Sequence, residues 1–142
     1  MEFIDVSFTW KGQQIKVNNI QNVDFNVSRT PSPNGHLGMK NHDIRTINFE
    51  RRRSMQVDGM APLDNDICKL MAATEKDAYF DGEITNARAD DSGNKVVTVR
   101  WTGGHICDYS LNMYGTEIVE SFSVSLTQLM VDDSTFKRHL TT

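Results

Sequence analysis

Few residues in this chain could do chemistry, and the closest pair is His105 and Cys107. Residues two apart on a β-strand point to the same face, so a thiolate–imidazole pair could form between them. The pair directly follows Gly103-Gly104, and the sequence names no third residue to orient the imidazole. We therefore interpret His105 as a surface residue and Cys107 as an inert thiol, and we predict no catalytic residue. An enzyme built on this pair is the alternative that selective alkylation of Cys107 would support.

Metal and acid–base sites are not predicted either. His36 and His42 lie near Asp43 in a loop-like segment, whereas a metal site needs three or four ligands in fixed geometry. Asp90-Asp91 and Asp132-Asp133 are sequence neighbours and are typical turn formers. A glycosidase-type pair would instead face one cleft across roughly 5–10 Å. The sequence therefore predicts no metal and no cofactor.

The densest charge run is Arg51-Arg52-Arg53, in a chain with 15 basic and 19 acidic residues and a net charge of -4. An acidic chain is a poor candidate for nucleic-acid binding, which relies on a basic face. We expect no specific nucleic-acid recognition. The run is interpreted as a solvated strand end paired with some of the acids, and Arg51, Arg52 and Arg53 are kept as candidate subunit contacts.

Length and composition favour one cytoplasmic domain. The chain has 142 residues, 38% of them hydrophobic, which suits a single globular domain. No apolar run approaches the roughly 18 residues that cross a bilayer, so we expect no membrane insertion. The opening MEFIDVSFTW lacks the basic start and apolar run of a secretory signal. Cys68 and Cys107 are expected to be reduced thiols that fill core or interface space.

Alternation of apolar and polar residues dominates the chain and predicts half-buried β-strands. In the strand that begins at residue 44, for example, Arg45, Ile47, Phe49 and Arg51 share one face. Gly12 predicts a first hairpin turn. The clearest strands are predicted at residues 4–10, 14–17, 23–27, 44–51, 78–89, 95–102, 105–113 and 118–127.

Three further features complete the predicted fold. Asp64 is the predicted N-cap of one short helix with Ile67, Leu70 and Met71 at helical spacing. Gly103-Gly104 predicts a two-residue hairpin turn. The fold class is therefore mainly β with one short helix, a small antiparallel β-barrel or sandwich. We assign residues 1–133 to one domain and residues 134–142 to a polar tail or final interface arm.

Two segments are candidates for assembly. Residues 29–43 read RTPSPNGHLGMKNHD, a long loop of the kind that is often functional. The last long strand carries an uncharged hydroxyl stripe of Ser121, Ser123, Ser125 and Thr127. Such a stripe suits a strand beside another subunit or one that lines a wet channel, and the alternative is an ordinary exposed β face.

The order of these elements resembles the tail-tube family, which includes the Hcp proteins of type VI secretion and the tube proteins of contractile phage tails and injection systems. The resemblance covers roughly residues 3 to 132 and rests on element order rather than on an invariant motif. It is carried by four stretches: VSFTWKGQQIKV, NVDFNVSRTPSPNGHLGMKNHDIRTINFERR, LDNDICKLMAAT and VESFSVSLTQLMV.

The resemblance implies a structural subunit without catalysis. It implies a ring of six copies and head-to-tail stacking of rings into a tube, with a sheath, spike or baseplate proteins and effector cargo as partners. It implies synthesis in the cytoplasm and export with the tube, without a signal peptide. The extended loop would contact a neighbouring ring or subunit, through Arg29, Pro31, Pro33, Gly35, Leu37 and Met39. The resemblance does not distinguish a secretion tube from a phage-type tube.

The competing hypothesis is a monomeric β-barrel that binds a small apolar ligand or a peptide. Barrels of about eight strands can hold one ligand. This hypothesis requires that the inward Phe, Trp and Val side chains leave a cavity rather than fill the interior.

Overall fold

The computed structural model describes residues 4–29, 42–90, 93–132 and 134–137. It contains nine strands, one α-helix and one short 3-10 helix within those ranges. In chain order they are β1 (Ile4–Trp10), β2 (Gln13–Val17), β3 (Ile20–Arg29), β4 (His42–Ser54), α1 (Asp66–Ala72), the 3-10 helix (Glu75–Ala78), β5 (Phe80–Asp90), β6 (Gly93–Met113), β7 (Glu117–Ser125), β8 (Gln128–Val131) and β9 (Ser134–Lys137).

The strands form one antiparallel sheet with the order β2-β1-β5-β6-β7-β4-β3, and β8 joins β6 and β9. The first half of β6 pairs with β5 and β8, and its second half pairs with β7. One long strand therefore belongs to two halves of the sheet. This architecture confirms the predicted class, mainly β with one short helix.

The two halves pack face to face around a cluster of aromatic side chains. Phe8 of β1 lies at the centre, with its ring centroid 5.8 Å from that of Phe49 and 5.4 Å from that of Trp101. Phe80 and Phe122 complete the cluster. Aromatic pairs at these spacings add to the hydrophobic stabilisation that their buried area provides. The interior of the fold is thus filled by side chains of both halves.

The predicted hairpin at Gly103-Gly104 is wrong, because β6 continues through both glycines. Gly103 has a φ of +63°, which bends the strand as it passes from one half of the sheet to the other. A Cβ on Gly104 would lie 2.7 Å from Trp101 Nε1 and 2.8 Å from Val124 Cγ1. These glycines therefore permit a bend and close packing rather than a chain reversal.

The predicted helix exists, but its first residues differ from the prediction. Asn65, not Asp64, occupies the N-cap position, and its side chain makes no capping bond. The Asp66 amide N–H instead donates to Oδ1 of Asp64 at 3.1 Å. The Asp64 carboxylate, one residue before the N-cap, thus accepts a hydrogen bond from a backbone N–H that has no partner within the helix.

This arrangement predicts that Asp64→Ala destabilises the protein by about 1–2 kcal/mol, since it removes the bond to the Asp66 amide and also the ion pair of Asp64 with Arg51. Asn65→Ala is the matched control and is expected to leave the unfolding free energy within about 0.5 kcal/mol of the parent. Urea denaturation of both variants measures the difference. Equal losses would show that Asp64 has no special role at the helix start.

Part of the predicted tail is a strand, since Ser134–Lys137 pairs with β8 along its whole length. The domain boundary at residue 133 remains a prediction. Within the described residues, neither helix has the length and hydropathy that a membrane-crossing helix requires.

Candidate functional site

The candidate site is the outward face of the half-sheet formed by β3, β4, β7 and the second half of β6, which we call the polar face. Register places its residues in rows, because Asn48 pairs with Asp24 on one side and with Ser123 on the other. Ser123 pairs in turn with Asp108. The members that these registers align are Asn22, Asp24, Asn26, Thr46, Asn48, Glu50, Asp108, Ser110, Asn112, Ser121, Ser123 and Ser125.

Side chains of the polar face are bonded to one another across the strands. Ser123 Oγ donates to Asn48 Oδ1 at 2.5 Å, and Asn48 Nδ2 donates to Asp24 Oδ1 at 2.7 Å. These bonds hold amide, hydroxyl and carboxylate groups in fixed positions on an open surface. A shallow depression of about 240 Å³ lies over the same residues. The face presents small polar groups, while Phe49 and Phe122 of the same strands are buried on the other side.

The predicted hydroxyl stripe lies partly on this face. Ser121, Ser123 and Ser125 alternate with the buried Phe122 and Val124, as the period of two predicts. Thr127 lies outside β7, in the connection to β8, where its hydroxyl donates to the carbonyl of Gly103 at 3.1 Å. Whether the stripe lines a lumen or an interface stays a prediction.

The three arginines of the charge run have different environments. Arg51 is fully buried, and its Nε and Nη2 both lie 2.7 Å from Oε1 of the buried Glu120. Arg52 is half-exposed and pairs with Glu50 at 3.2 Å. Arg53 is half-buried. Arg51 therefore contacts groups of its own chain, and only Arg52 and Arg53 offer surface to another subunit.

Arg51 is the centre of a buried polar network that links four parts of the fold. Its Nη1 donates to Oδ1 of Asn18 at 3.2 Å and to Oδ1 of Asp64 at 3.3 Å. Its Nη2 also donates to the Asp64 carbonyl at 3.2 Å. The guanidinium thus ties β4 to β7, to the turn before β3 and to the segment that leads into α1.

The network extends through Tyr109 to the helix. The Tyr109 hydroxyl donates to Oε2 of Glu120 at 2.5 Å and lies 3.2 Å from Cys68 Sγ. Burial raises the pKa of this phenol well above its usual range, and the bonds to Cys68 and Glu120 act in the same direction. Tyr109 therefore remains protonated and serves as the donor to the Glu120 carboxylate.

The sequence did not predict this network, although a signal was present. Arg51 shares a strand face with Ile47 and Phe49, and Glu120 alternates with Phe122. A charged residue on the apolar face of a strand predicts a buried partner of opposite charge. The register Arg51↔Glu120 brings the two together.

The residues considered for catalysis are not brought together as a reactive pair. A strand irregularity between Ile106 and Asp108 removes Cys107 from the simple alternation. The Cys107 thiol is exposed and lies 3.6 Å from the Ser123 carbonyl oxygen, and the His105 ring packs edge-on against Tyr79.

Both cysteines are free and exposed in the single chain, so they do not fill the core, and the expectation that they fill interface space stays a prediction. In the described part of the chain, no three His, Cys, Asp or Glu side chains are grouped so as to hold a metal ion. Of the candidate loop residues, Pro31, Pro33, Gly35, Leu37 and Met39 lie outside the described residues, as does His36. Arg29 is the last residue of β3.

Comparison with known proteins gives structural matches only. No protein-family model matches the sequence, and no curated protein matches it. Hcp1 from Flavobacterium johnsoniae superposes with a TM-score of 0.60 at 15% identity, over 94% of this chain and 99% of that one.

Two other solved structures give similar matches. The secreted protein Hcp3 from Pseudomonas aeruginosa has a TM-score of 0.57 at 13% identity, over 96% of this chain and 99% of its own. A chain of the PVC sheath–tube complex of an extracellular contractile injection system has a TM-score of 0.54 at 10% identity, over 91% of this chain and 87% of its own. The protein thus has the fold of the Hcp and contractile-tail tube proteins.

Proposed function

We propose that this protein is a structural subunit that assembles into hexameric rings, which stack head to tail as the inner tube of a type VI secretion system or a related contractile injection system. The observation that carries the proposal is the shared fold over nearly the full length of both this chain and Hcp1. The match leaves no large insertion in which a separate catalytic unit could lie. In this proposal the protein is not an enzyme.

The polar face supports this function because it suits the wall of a channel. Its serine, asparagine and aspartate side chains are bonded to one another. A protein that moves along this face can exchange hydrogen bonds to water for hydrogen bonds to these side chains. An apolar wall would bind unfolded or exposed apolar segments instead. We propose that this face lines the lumen and that effector cargo travels along it.

Open strand edges support assembly with further copies. In the described residues, β3 is ten residues long and pairs on one side only, with β4. An unpaired edge of this length is a template for pairing with another chain, and closure into a ring removes such edges. We propose that Arg52, Arg53 and the segment of residues 29–43, whose ends belong to β3 and β4, contribute contacts between subunits or rings. A sheath and a spike or baseplate would be the further partners.

The filled interior argues against the competing hypothesis of a monomeric barrel for an apolar ligand. Phe8, Phe49, Trp101 and Phe122 contact one another across the space that a ligand would need. The assembly hypothesis needs no interior cavity.

The mass in solution tests the proposal directly. Light scattering is expected to give a peak near a sixfold multiple of 16.1 kDa, and negative-stain images of that peak are expected to show open rings. The same measurement repeated across a wide range of protein concentrations separates a stable ring from weak association. A 16.1 kDa monomer at every concentration, without rings in the images, would contradict the proposal.

A further inference from the structure

The polar face carries an excess of negative charge. Its aligned members include the carboxylates of Asp24, Glu50 and Asp108 and no lysine or arginine. Arg52 follows Glu50 on the same side of β4, and it is already engaged, since it lies 3.2 Å from Glu50 and 3.7 Å from Glu117. Within the described residues, the carboxylates of Asp24 and Asp108 therefore have no cationic partner.

Asp24 and Asp108 lie at the two ends of one row that crosses the half-sheet. The registers align Asp108 with Ser123, Ser123 with Asn48, and Asn48 with Asp24. Three strand spacings of roughly 4.8 Å separate the two aspartates by about 14 Å. Both aspartates are exposed, and both line the shallow depression over the row. The row thus presents two negative charges to one partner.

The hydrogen bonds of this row run toward a carboxylate. Ser123 uses its hydroxyl hydrogen on Asn48, and Asn48 uses an amide hydrogen on Asp24. An ionised carboxylate accepts hydrogen bonds and donates none. The row therefore offers mainly acceptors. Lysine and arginine side chains match it, because they donate hydrogen bonds and accept none.

The outward face of the other half-sheet has a more balanced charge. Register places Asp5, Asp81 and Glu83 on that face, together with Lys16 and Arg100. Arg100 Nε lies 3.0 Å from Glu83 Oε2. Of the two outward faces, the polar face thus has the larger excess of negative charge. A surface of one sign attracts partners of the opposite sign and repels those of its own.

The spacing of Asp24 and Asp108 favours a polypeptide over a small ion. A metal ion holds its oxygen ligands within about 2.6 Å, so carboxylates about 14 Å apart cannot share one ion. An extended polypeptide places side chains of one face roughly 7 Å apart, so basic residues about four positions apart span the row. A nucleic acid is disfavoured, because its phosphates have the same sign of charge as the face.

We propose that the polar face selects cationic cargo, namely polypeptides that present lysine or arginine side chains to Asp24 and Asp108. This inference deepens the proposed function and rests on it for the position of the face in a channel wall. In a ring every subunit repeats the row, so many weak contacts act together on one cargo molecule.

Peptide binding to charge variants tests the proposal. The probe is a fluorescent peptide of alternating lysine and serine, and its counterpart has glutamate in place of lysine. Fluorescence anisotropy at low salt is expected to show binding of the lysine peptide alone, and added salt is expected to weaken that binding. Asp24→Asn with Asp108→Asn is expected to raise the Kd about fivefold, the effect of losing two exposed ion pairs.

The matched control is Asp5→Asn with Glu83→Gln, which removes the same charge from the outward face of the other half-sheet. All four side chains are exposed, so both double variants are expected to fold like the parent. We expect the control to leave the Kd of the lysine peptide nearly unchanged. Equal weakening by the two double variants would show that the net charge of the protein, and not the polar face, attracts the peptide.

Chemical cross-linking locates the bound peptide. A carbodiimide joins a carboxylate to a lysine amine as an amide, with loss of water, when the two groups are in contact. Mass spectrometry of the parent protein with the lysine peptide is expected to find cross-links at Asp24 and Asp108. Asp5 and Glu83 are the internal controls. Cross-links as abundant at Asp5 and Glu83 would overturn the proposal.

Light scattering of the same samples separates this inference from the proposed function. Rings that bind the lysine and glutamate peptides equally would overturn the selection of cationic cargo and leave the ring standing. A monomer that binds the lysine peptide through Asp24 and Asp108 would support the cationic partner and contradict the ring. A single-stranded oligonucleotide that binds as tightly as the lysine peptide would also overturn the inference.

Discussion

Arg51→Met is expected to lower the free energy of unfolding by about 3–5 kcal/mol, because it leaves the Glu120 carboxylate buried without its cationic partner. Both side chains are almost completely excluded from solvent. The substitution also removes the bonds to Asn18 and Asp64 that hold the segment before α1. Chemical denaturation followed by tryptophan fluorescence measures the loss.

Arg52→Met is the matched control, since the neighbouring arginine is 43% exposed and its ion pair with Glu50 lies at the surface. We expect a change of no more than about 1 kcal/mol, as for other exposed pairs. The double variant Arg51→Met, Glu120→Leu is expected to regain much of the loss, because neither charge is then buried alone. A double variant as unstable as the sum of the single variants would show that the two residues act independently.

Gly82→Ala is expected to destabilise the protein by about 3 kcal/mol, through overpacking of the core. Gly82 pairs directly with Trp101 in the register of β5 and β6. A Cβ at this position would overlap Cζ2 and Cη2 of the indole, which is itself buried and in contact with Phe8. The ring also packs against Phe49 and Phe80, so a shift of the indole would disturb these contacts.

The comparison with Gly115→Ala isolates this effect, since a Cβ on Gly115 meets no atom within 4 Å. We expect Gly115→Ala to leave the free energy of unfolding unchanged or to raise it slightly. Trp101→Phe removes the part of the indole that overlaps, so it should make the Gly82→Ala substitution much less harmful. A thermal midpoint for Gly82→Ala equal to that of Gly115→Ala would contradict the close approach of the strand to the indole.

The period-two pattern was sufficient to predict most of the strands and the buried face of β4 and β7. Ile47, Phe49, Phe122 and Val124 all lie where alternation places them. The pattern was not sufficient for Gly103-Gly104, because a glycine pair permits both a reversal and a bend. Only the packing of Trp101 and Val124 against Gly104 decides between them, and that packing depends on strands distant in sequence.

Local sequence could predict only part of the polar face. The serines of β7 were found because they are spaced along one strand. The asparagines and aspartates beside them belong to other strands, and only the register places Asp24, Asn48 and Ser123 in one row.

The pairing of β4 with β7 has a consequence for how the protein is made. Thr46 pairs with Ser125, so β4 has no neighbour on that side until β7 has left the ribosome. The β3–β4 hairpin is synthesised early and exposes Ile47 and Phe49 in the meantime, because a lone hairpin cannot bury them. Newly made chains therefore pass through a period in which they can bind chaperones or aggregate, and a slower rate of synthesis would lengthen that period.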